Sequence, residues 1–404
     1  MYKIKRGNKN MLNEKGIREL AYIAKVKQIK PIEGKDRVEC AVVNGWEVMV
    51  KKGEFQVDDL GVYFEVDSQV PEKEPFMFLA QKHFKIKIQK YGKFYSQGLL
   101  MPLSYFPELK NANEGDFLTE KLGVIYNTSE DRKRKNGIKN KYQYMIQRYN
   151  KFFKTHFAKS LMKTKFGKEL LYQLLGKRII KSKKFPTHFP YVKITDEERC
   201  ENIPDICKST QPWVKTLKID GTSTTFILER KNFNRFEFYV CSRQVRQLKP
   251  NQKTYHNIDN VYWEMAFKYH IKEVLTDILK HHPEWNYVCL QGETAGPNIQ
   301  GNPHGLPERC FYGFNFIDSE NGRWSTQAAS ALFGKYGIHW VPIISTDYRI
   351  PNNFEEFKKS ADGEIELTDG AGLREGYVYR SQNGYQSFKN VSRVYQLKVM
   401  GKKF

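Results

Sequence analysis

This 404-residue chain is short of acid: 45 Asp and Glu face 67 Lys and Arg, a formal net charge of +22. Long apolar runs are also missing, and no stretch approaches the length of a membrane-spanning helix. The first residues, MYKIKRGNKN, lack the apolar centre of a signal peptide, so an intracellular protein, not a secreted one, is expected. A cytoplasmic or nucleoid-associated setting and a viral or phage origin all fit that expectation. Cysteine is sparse, at positions 40, 200, 207, 241, 289 and 310, with no C-x-x-C pair. That pattern disfavours zinc and points to inert, reduced thiols. His281, His282 and His304 have no metal-ligand spacing and read as structural. There is no internal repeat.

What is abundant is aromatic side chains, 27 Phe and 24 Tyr, enough for most of the chain to fold. Its length allows two or three domains, each with a sizeable core. The positive field attracts polyanions through their phosphates. A solubility device or a lysine-rich genome would give the same charge, so charge alone suggests nucleic acid without naming a reaction.

The predicted fold class is α+β: an N-terminal OB-type β-barrel in residues 1–125, a basic helical linker or insert in 126–184, and a C-terminal antiparallel-sheet domain in 185–404. Short strands are expected at Ala21–Ile29, Arg37–Val43, Glu47–Lys51, Gly61–Val66, Phe84–Gln89 and Gln97–Pro102, with Asn44-Gly45 as a hairpin turn. Such a series suits an OB-fold or another small barrel. From Arg132 to Lys184 there are eighteen Lys or Arg and one acid, Glu169. Met145, Tyr149, Phe152, Phe153, Phe157 and Leu161 recur there at helical spacing, continued by Leu170, Leu171, Leu174 and Leu175. Basic amphipathic helices interrupted near Gly167 and Gly176 are expected, with a phosphate-contacting bridge preferred over a membrane-surface helix. Further on, Asp259 or Asn257 could cap a helix running to His281. Tyr287–Leu290, Phe311–Ile317 and Gly376–Arg380 read as strands.

The candidate chemistry begins at 214–223, VKTLKIDGTS. K-x-D-G alone arises by chance in roughly one chain in ten of this length. A lysine becomes a nucleophile only after losing its proton, which takes burial or neighbouring positive charge. Lys218 sits between Leu217 and Ile219 at a strand end. Gly221 lets the backbone approach closely, and Asp220 can reach the side of Lys218 and hold a metal ion through water. Five further segments suit the same chemistry: Cys241-Ser242-Arg243; Gln291-Gly292-Glu293 with the following GPNIQGN; Phe311–Phe316; Arg374-Glu375-Gly376-Tyr377-Val378; and Ser387-Phe388-Lys389.

In that order the set resembles the nucleotidyl-transferase motifs of ATP-dependent polynucleotide ligases. It is most similar to the fifth RNA ligase family, the Deinococcus-type enzymes with an OB domain ahead of the catalytic domain, over roughly 20–125 and 185–400. The resemblance implies that Lys218 attacks the α-phosphate of ATP. It implies Asp220, Glu293 and Glu375 at a Mg2+ or Mn2+ ion, with Glu293 on the ribose or a metal-bound water. Arg243 would contact the nucleotide or substrate end, Phe314 would stack on adenine, and Lys389 would contact the α-phosphate. Thr195-Asp196-Glu197-Glu198-Arg199 resembles the family's T-D-E-x-R element, which implies that Arg199 contacts the nucleotide. Ser96–Leu100 and Val66-Asp67-Ser68 are similar to signatures of the family's OB domain. Ser387 stands where the more widespread K-x-K motif has its first lysine, a departure that favours the RNA ligase branch over DNA ligases. Lys398 could supply a second cation.

Each residue also has a plainer reading. Asp220 and Glu375 could be turn acids, Phe314 core, and Arg243 a surface cation. Arg199 could pair with Glu197 or Glu201 on a surface. Lys215 lies outside the motif, and its replacement is expected to be mild. The function expected is an ATP-dependent RNA ligase acting through a lysyl-AMP on 3′-OH and 5′-phosphate ends, with RNA on the 3′-OH side of a nick. Its partner would be an RNA or RNA/DNA duplex, with no membrane, no obligatory protein partner, and a monomeric state. A DNA ligase, a capping guanylyltransferase, or a non-catalytic RNA-binding protein are the alternatives.

Overall fold

The computed structural model describes residues 11–12, 18–126, 152, 155–162, 164–176, 192–193, 195–232, 235–243, 246–247, 249–250, 260–365, 367 and 372–400. Residues 1–124 and 187–404 form one compact unit, and 125–186 form another.

The first unit opens with β1 (Ala21–Ile32), β2 (Lys35–Val43), β3 (Trp46–Lys51) and β4 (Leu60–Phe64). Short strands β5 (Ser68–Gln69), β6 (Gln89–Tyr91) and β7 (Phe94–Ser96) follow, then β8 (Leu99–Pro102). Five of these make an antiparallel sheet in the order β3-β2-β1-β4-β8, the curled half-barrel of an OB-fold. Alternation drives it: Trp46, Val48 and Val50 face inward against Val26, Val43 and Tyr63, which no helix period would permit. The strand expected at Phe84–Gln89 is not formed. Only Lys85 makes an isolated bridge, and pairing begins at Gln89, where the β6–β7 hairpin supplies a partner.

Asn44-Gly45 does turn β2 into β3, with Asn44 at φ 52°. Gly45 serves a second purpose. Its N–H donates to Glu201 O at 2.7 Å, and a Cβ there would lie 2.6 Å from the Phe354 ring. The turn is therefore a seat for the C-terminal part of the chain. Beside it, Trp46 Nε1 donates to Asn202 Oδ1 at 2.6 Å, and Asn202 Nδ2 donates to both Glu65 (2.9 Å) and Glu198 (2.8 Å). Buried polar groups seek partners; here Trp46, Glu65, Glu198 and Asn202 find theirs across the two parts of the chain.

The second unit, considered by itself, contains β9 (Ile125–Tyr126) and two short helices, His156–Leu161 and Lys165–Leu171. Thr155 caps the first, its Oγ1 accepting from Ala158 N at 3.3 Å. Ala158 and Leu171 centre a small core with Leu161, Met162, Tyr172 and Leu175. The first helix ends at Leu161 and the second begins at Lys165, so Gly167, where a break was expected, lies inside the second helix. Phe157 is not on the packed face: it is 67% exposed. Met145, Tyr149 and Phe153 lie outside the described residues.

Two five-stranded sheets build the C-terminal part. One runs β10 (Glu198–Arg199), β19 (Ser387–Val391), β18 (Gly376–Ser381), β11 (Trp213–Leu217), β17 (Ile343–Tyr348). The other runs β13 (Arg235–Ser242), β12 (Thr222–Asn232), β14 (Tyr287–Ala295), β15 (Cys310–Asp318), β16 (Gly322–Arg323). One core, with Phe226, Leu275, Leu290 and Phe316, lies between the second sheet and its helices; another, with Trp213, Leu217 and Tyr379, backs the first. The helix predicted to reach His281 is two helices, Val261–Lys268 and Ile271–His281, parted at His270 with φ 48°. Its cap is Asn260, whose side chain accepts from Tyr262 N and Trp263 N. Among the described residues no helix is long and apolar enough to cross a membrane.

Candidate active site

Lys218, Asp220, Glu293 and Glu375 gather where the two sheets meet, Lys218 and Asp220 in the crossing after β11, Glu375 just ahead of β18 and Glu293 within β14. β11 is buried along its whole length, and the chain crosses to β12 through 218–221. Lys218 N donates to Gly376 O at 3.0 Å, so the residue ahead of Gly376 is brought to the same place. Its carboxylate completes the contact: Lys218 Nζ lies 2.8 Å from Glu375 Oε1. Glu293 arrives from β14, in register with Ser223. The close approach needs Gly221, where a Cβ would stand 2.2 Å from Thr294 O and 3.1 Å from Glu293 Cγ.

Asp220 is oriented by two residues that the motif reading left out. Its backbone N–H donates to His304 Nε2 at 2.7 Å, which leaves the imidazole proton on Nδ1. Its Oδ2 accepts from Tyr395 OH at 2.5 Å. His304 is indeed structural, in the sense that it is fully buried and holds the turn.

Electrostatics reverse one expectation. Burial works against a charge on Lys218, but Glu375, Glu293 and Asp220 together outweigh it and hold the ammonium above the usual lysine range. Lys218 is thus protonated until something offsets the acids. Glu293 shows the other side of the same crowding. Burial foremost, with repulsion from Glu375 and Asp220 against the pull of Lys218, pushes its carboxyl up to about 8. Among the described residues no three His, Cys, Asp or Glu side chains are grouped tightly enough to hold a metal ion by themselves. Asp220, Glu293 and Glu375 are nevertheless an acid excess around one ammonium. That fits a divalent ion of the Mg2+ type, which keeps several waters and takes one or two carboxylates together with phosphate oxygens.

A second cluster is cationic and centres on a residue that the T-D-E-x-R resemblance included without giving it a role. Asp196 takes Lys389 Nζ at 2.5 Å and Arg18 Nη2 at 3.1 Å on Oδ1, and Arg243 Nη2 at 2.7 Å on Oδ2. Burial would raise its carboxyl, but Arg18, Lys389 and Arg243 hold it well below the usual range. Lys389, on β19, is pushed down to about 7 by burial and by Arg18, with Asp196 pulling the other way. Arg199 is not on a surface with Glu197 or Glu201. It is buried, in register with Lys389, 3.4 Å from Asp67 Oδ2 and over the Trp46 ring at 5.5 Å. This places it against the N-terminal β-sheet part of the chain.

Phe314 is separated from its neighbours by a β-bulge. The β14–β15 register passes from Gln291↔Asn315 to Gly292↔Gly313, leaving Phe314 unmatched. Phe311 and Phe316 therefore both enter one core, while Phe314 turns to the other and stays half-buried, with Arg380 Cζ 5.9 Å from its ring. Arg380 is a buried cation that sequence reading missed; it pairs with Glu197 Oε1 at 3.1 Å. Ser387 also donates to Glu197. Lys398 is exposed on the terminal turn Gln396–Met400, and no contact among the described residues joins it to these clusters.

An OB-fold domain family matches residues 20–103 and the RNA ligase family matches 211–399. No curated protein matches the chain. Solved structures of the Naegleria gruberi RNA ligase are similar over both parts. A lysine-to-alanine mutant with ATP and Mn has TM-score 0.72 at 26% identity, covering 96% of this chain and 99% of that one. The enzyme with PPi has TM-score 0.71 at 26% identity (95% and 100% covered). A lysine-to-methionine mutant with AMP and Mn has TM-score 0.71 at 26% identity (94% and 99%). An OB-fold domain at 20–103 thus stands ahead of a part, 211–399, that matches the RNA ligase family, and the chain is similar over nearly its whole length to the Naegleria RNA ligase.

Proposed function

We propose that the protein is an ATP-dependent RNA ligase that joins 3′-OH and 5′-phosphate ends through a lysyl-AMP on Lys218. The observation that carries this reading is the Lys218 ammonium set 2.8 Å from Glu375, between Asp220 and Glu293, on the neck joining the two sheets. In the first step Lys218, having lost its proton, attacks the α-phosphate of ATP; a P–N bond forms and pyrophosphate leaves. In the second, a 5′-phosphate oxygen attacks the same phosphorus and the P–N bond breaks, returning the amine. In the third, a 3′-hydroxyl attacks the activated 5′-phosphate; its proton is lost and AMP departs.

The chain's own residues place and neutralise, which is most of what phosphoryl chemistry requires. Lys389 and Arg243 offer positive charge to the phosphates, and Phe314 offers a ring face to the base. Arg199, beside Lys389 in the sheet, reinforces that positive field, while Lys398 is too exposed to share the role of the buried cations. Asp220, Glu293 and Glu375 would hold Mg2+ or Mn2+, which supplies charge neutralisation at the phosphates and favours the free amine of Lys218. The relatives solved with ATP or AMP and Mn support this choice of nucleotide and ion. The formal +22 and the basic 126–184 segment suit an RNA or RNA/DNA duplex as partner.

Incubation with labelled ATP and Mg2+ or Mn2+ should give a covalent adenylate that Lys218→Ala abolishes; label persisting in that variant would refute the reading. Nick sealing on four duplexes, with RNA or DNA on each side, then tests the strand preference. Sealing is expected wherever RNA supplies the 3′-OH. Equal sealing of an all-DNA nick would make this a DNA ligase instead, and labelling by GTP would make it a capping enzyme.

A further inference from the structure

Asp196 is a buried acid with three cations on its two oxygens, drawn from three distant places in the chain. Lys389 comes from β19, Arg243 from the end of β13, and Arg18 from the segment just ahead of β1. Arg18 is also anchored to the OB sheet side by Glu65 Oε2 at 3.4 Å. Asp196 and Glu65 are outnumbered by the three cations. The cluster therefore keeps a positive excess toward an incoming phosphate, while Asp196 sets where the cations stand. Burial matters here, because a long cation without a fixed partner would swing toward solvent, and a fixed one is aimed before its ligand arrives.

We infer that Asp196 is a positioning residue for Lys389 and Arg243, and that Arg18 lets the seat of the OB domain act on the nucleotide site through it. The inference rests on the ligase reading, since it concerns the phosphates of that reaction. Arg18 and Asp196 act on Lys389 with opposite sign. The charged groups facing Lys389 are Arg18 and Asp67 from the N-terminal part, Asp196 and Arg199 from the segment through β10, Lys218 after β11, and Arg243 after β13. Asp196 favours the Lys389 ammonium; Arg18 disfavours it. Removing either should move the pH at which Lys389 loses its charge, in opposite directions.

The test measures single-turnover lysyl-AMP formation by the full chain across pH, each variant divided by wild type so that the titration of Lys218 cancels. Asp196→Asn is expected to fall relative to wild type as pH rises, by about tenfold for each unit that Lys389 is lowered. Arg18→Gln is expected to gain relative to wild type over the same range. Asp196→Glu, which keeps the charge, should track wild type. A flat ratio for both neutral variants, or shifts of the same sign, overturns the inference. If Asp196→Asn does not fold, Arg18→Gln decides alone: an upward trend supports the inference and a flat one overturns it. Lys218→Ala run alongside separates the two levels, because label that survives it sinks the ligase reading itself, whatever Asp196 does.

Discussion

The ammonium of Lys218 and the carboxylate of Glu375 meet at 2.8 Å, held there by a backbone hydrogen bond from Lys218 N to Gly376 O. The contact joins the neck after β11 to the start of β18, two neighbouring antiparallel strands. It also means that the proposed nucleophile starts out charged.

Because Lys218 must shed that proton to attack, lysyl-AMP formation should rise with pH, by about tenfold per unit while the amine remains protonated in the complex. Single-turnover labelling across pH at saturating ATP and Mn2+ measures it. A rate independent of pH across the range would show that another step, not the amine, limits the reaction.

Glu293 holds its proton to about 8 chiefly because it is buried. A carboxyl raised above its unfolded value favours folding at low pH, and that contribution is lost as pH climbs toward its folded value. Glu293→Gln should therefore melt higher than wild type at about pH 8 and by much less at about pH 5. A divalent ion has to displace the same proton, so the Mn2+ concentration giving half the thermal shift should rise by up to about tenfold for each pH unit below 8. Equal Mn2+ midpoints at the two ends of that range would count against Glu293 as a ligand.

Gly221→Ala forces a Cβ onto Thr294 O, at 2.2 Å in the present backbone. A loss of about 1–3 kcal/mol is expected by overpacking, together with weaker adenylate formation. Gly334→Ala is the matched control. It ends the helix Thr326–Gly334 with nothing within 4 Å of the added carbon, and should be neutral or gain up to about 1 kcal/mol. Denaturant melts of the two proteins compare them directly.

Phe314 and Phe316 should separate binding from stability. Phe316→Ala empties a fully buried site and is expected to cost about 3–5 kcal/mol. Phe314→Ala should cost less stability yet raise the KM for ATP. If Phe314→Ala leaves that KM unchanged, the ring is core and nothing more.

Lys215 changes standing. The expectation of a mild replacement does not suit a side chain only 9% exposed, with its Nζ 3.8 Å from the Tyr377 ring centroid and 4.7 Å from that of Tyr348. Lys215→Ala should lose about 2 kcal/mol, as for a desolvated cation–π contact, while keeping Lys218-dependent labelling. A melt matching wild type would restore the milder view.

Much of this architecture was legible because its signals are local. Alternation over β1 to β4 and the Asn44-Gly45 turn marked the N-terminal sheet, and the order of short motifs marked the sheet junction. What escaped were features with no local signature. The strand expected at Phe84–Gln89 had the right pattern, but its backbone meets only the short stretch 67–70, too little for a strand ladder. The break at His270 and the bulge at Phe314 are backbone events set by packing. Asp196 and Arg380 look like ordinary charges until the fold surrounds them with partners.

Taken alone, the residues and their order pointed to the kind of chemistry proposed, since a lysine, three acids, several cations and a ring suit adenylyl transfer. The tertiary structure decided the charge states and the partners. Lys218 proves to be protonated because Glu375 ahead of β18, Glu293 in β14 and Asp220 in its own turn converge on it, outweighing the burial that was expected to strip its proton. Arg199 proves to face Asp67 and Trp46 because the OB sheet is seated on the strand that carries it. Coulomb interactions depend on distance in space, and distance in space is what a linear sequence does not contain.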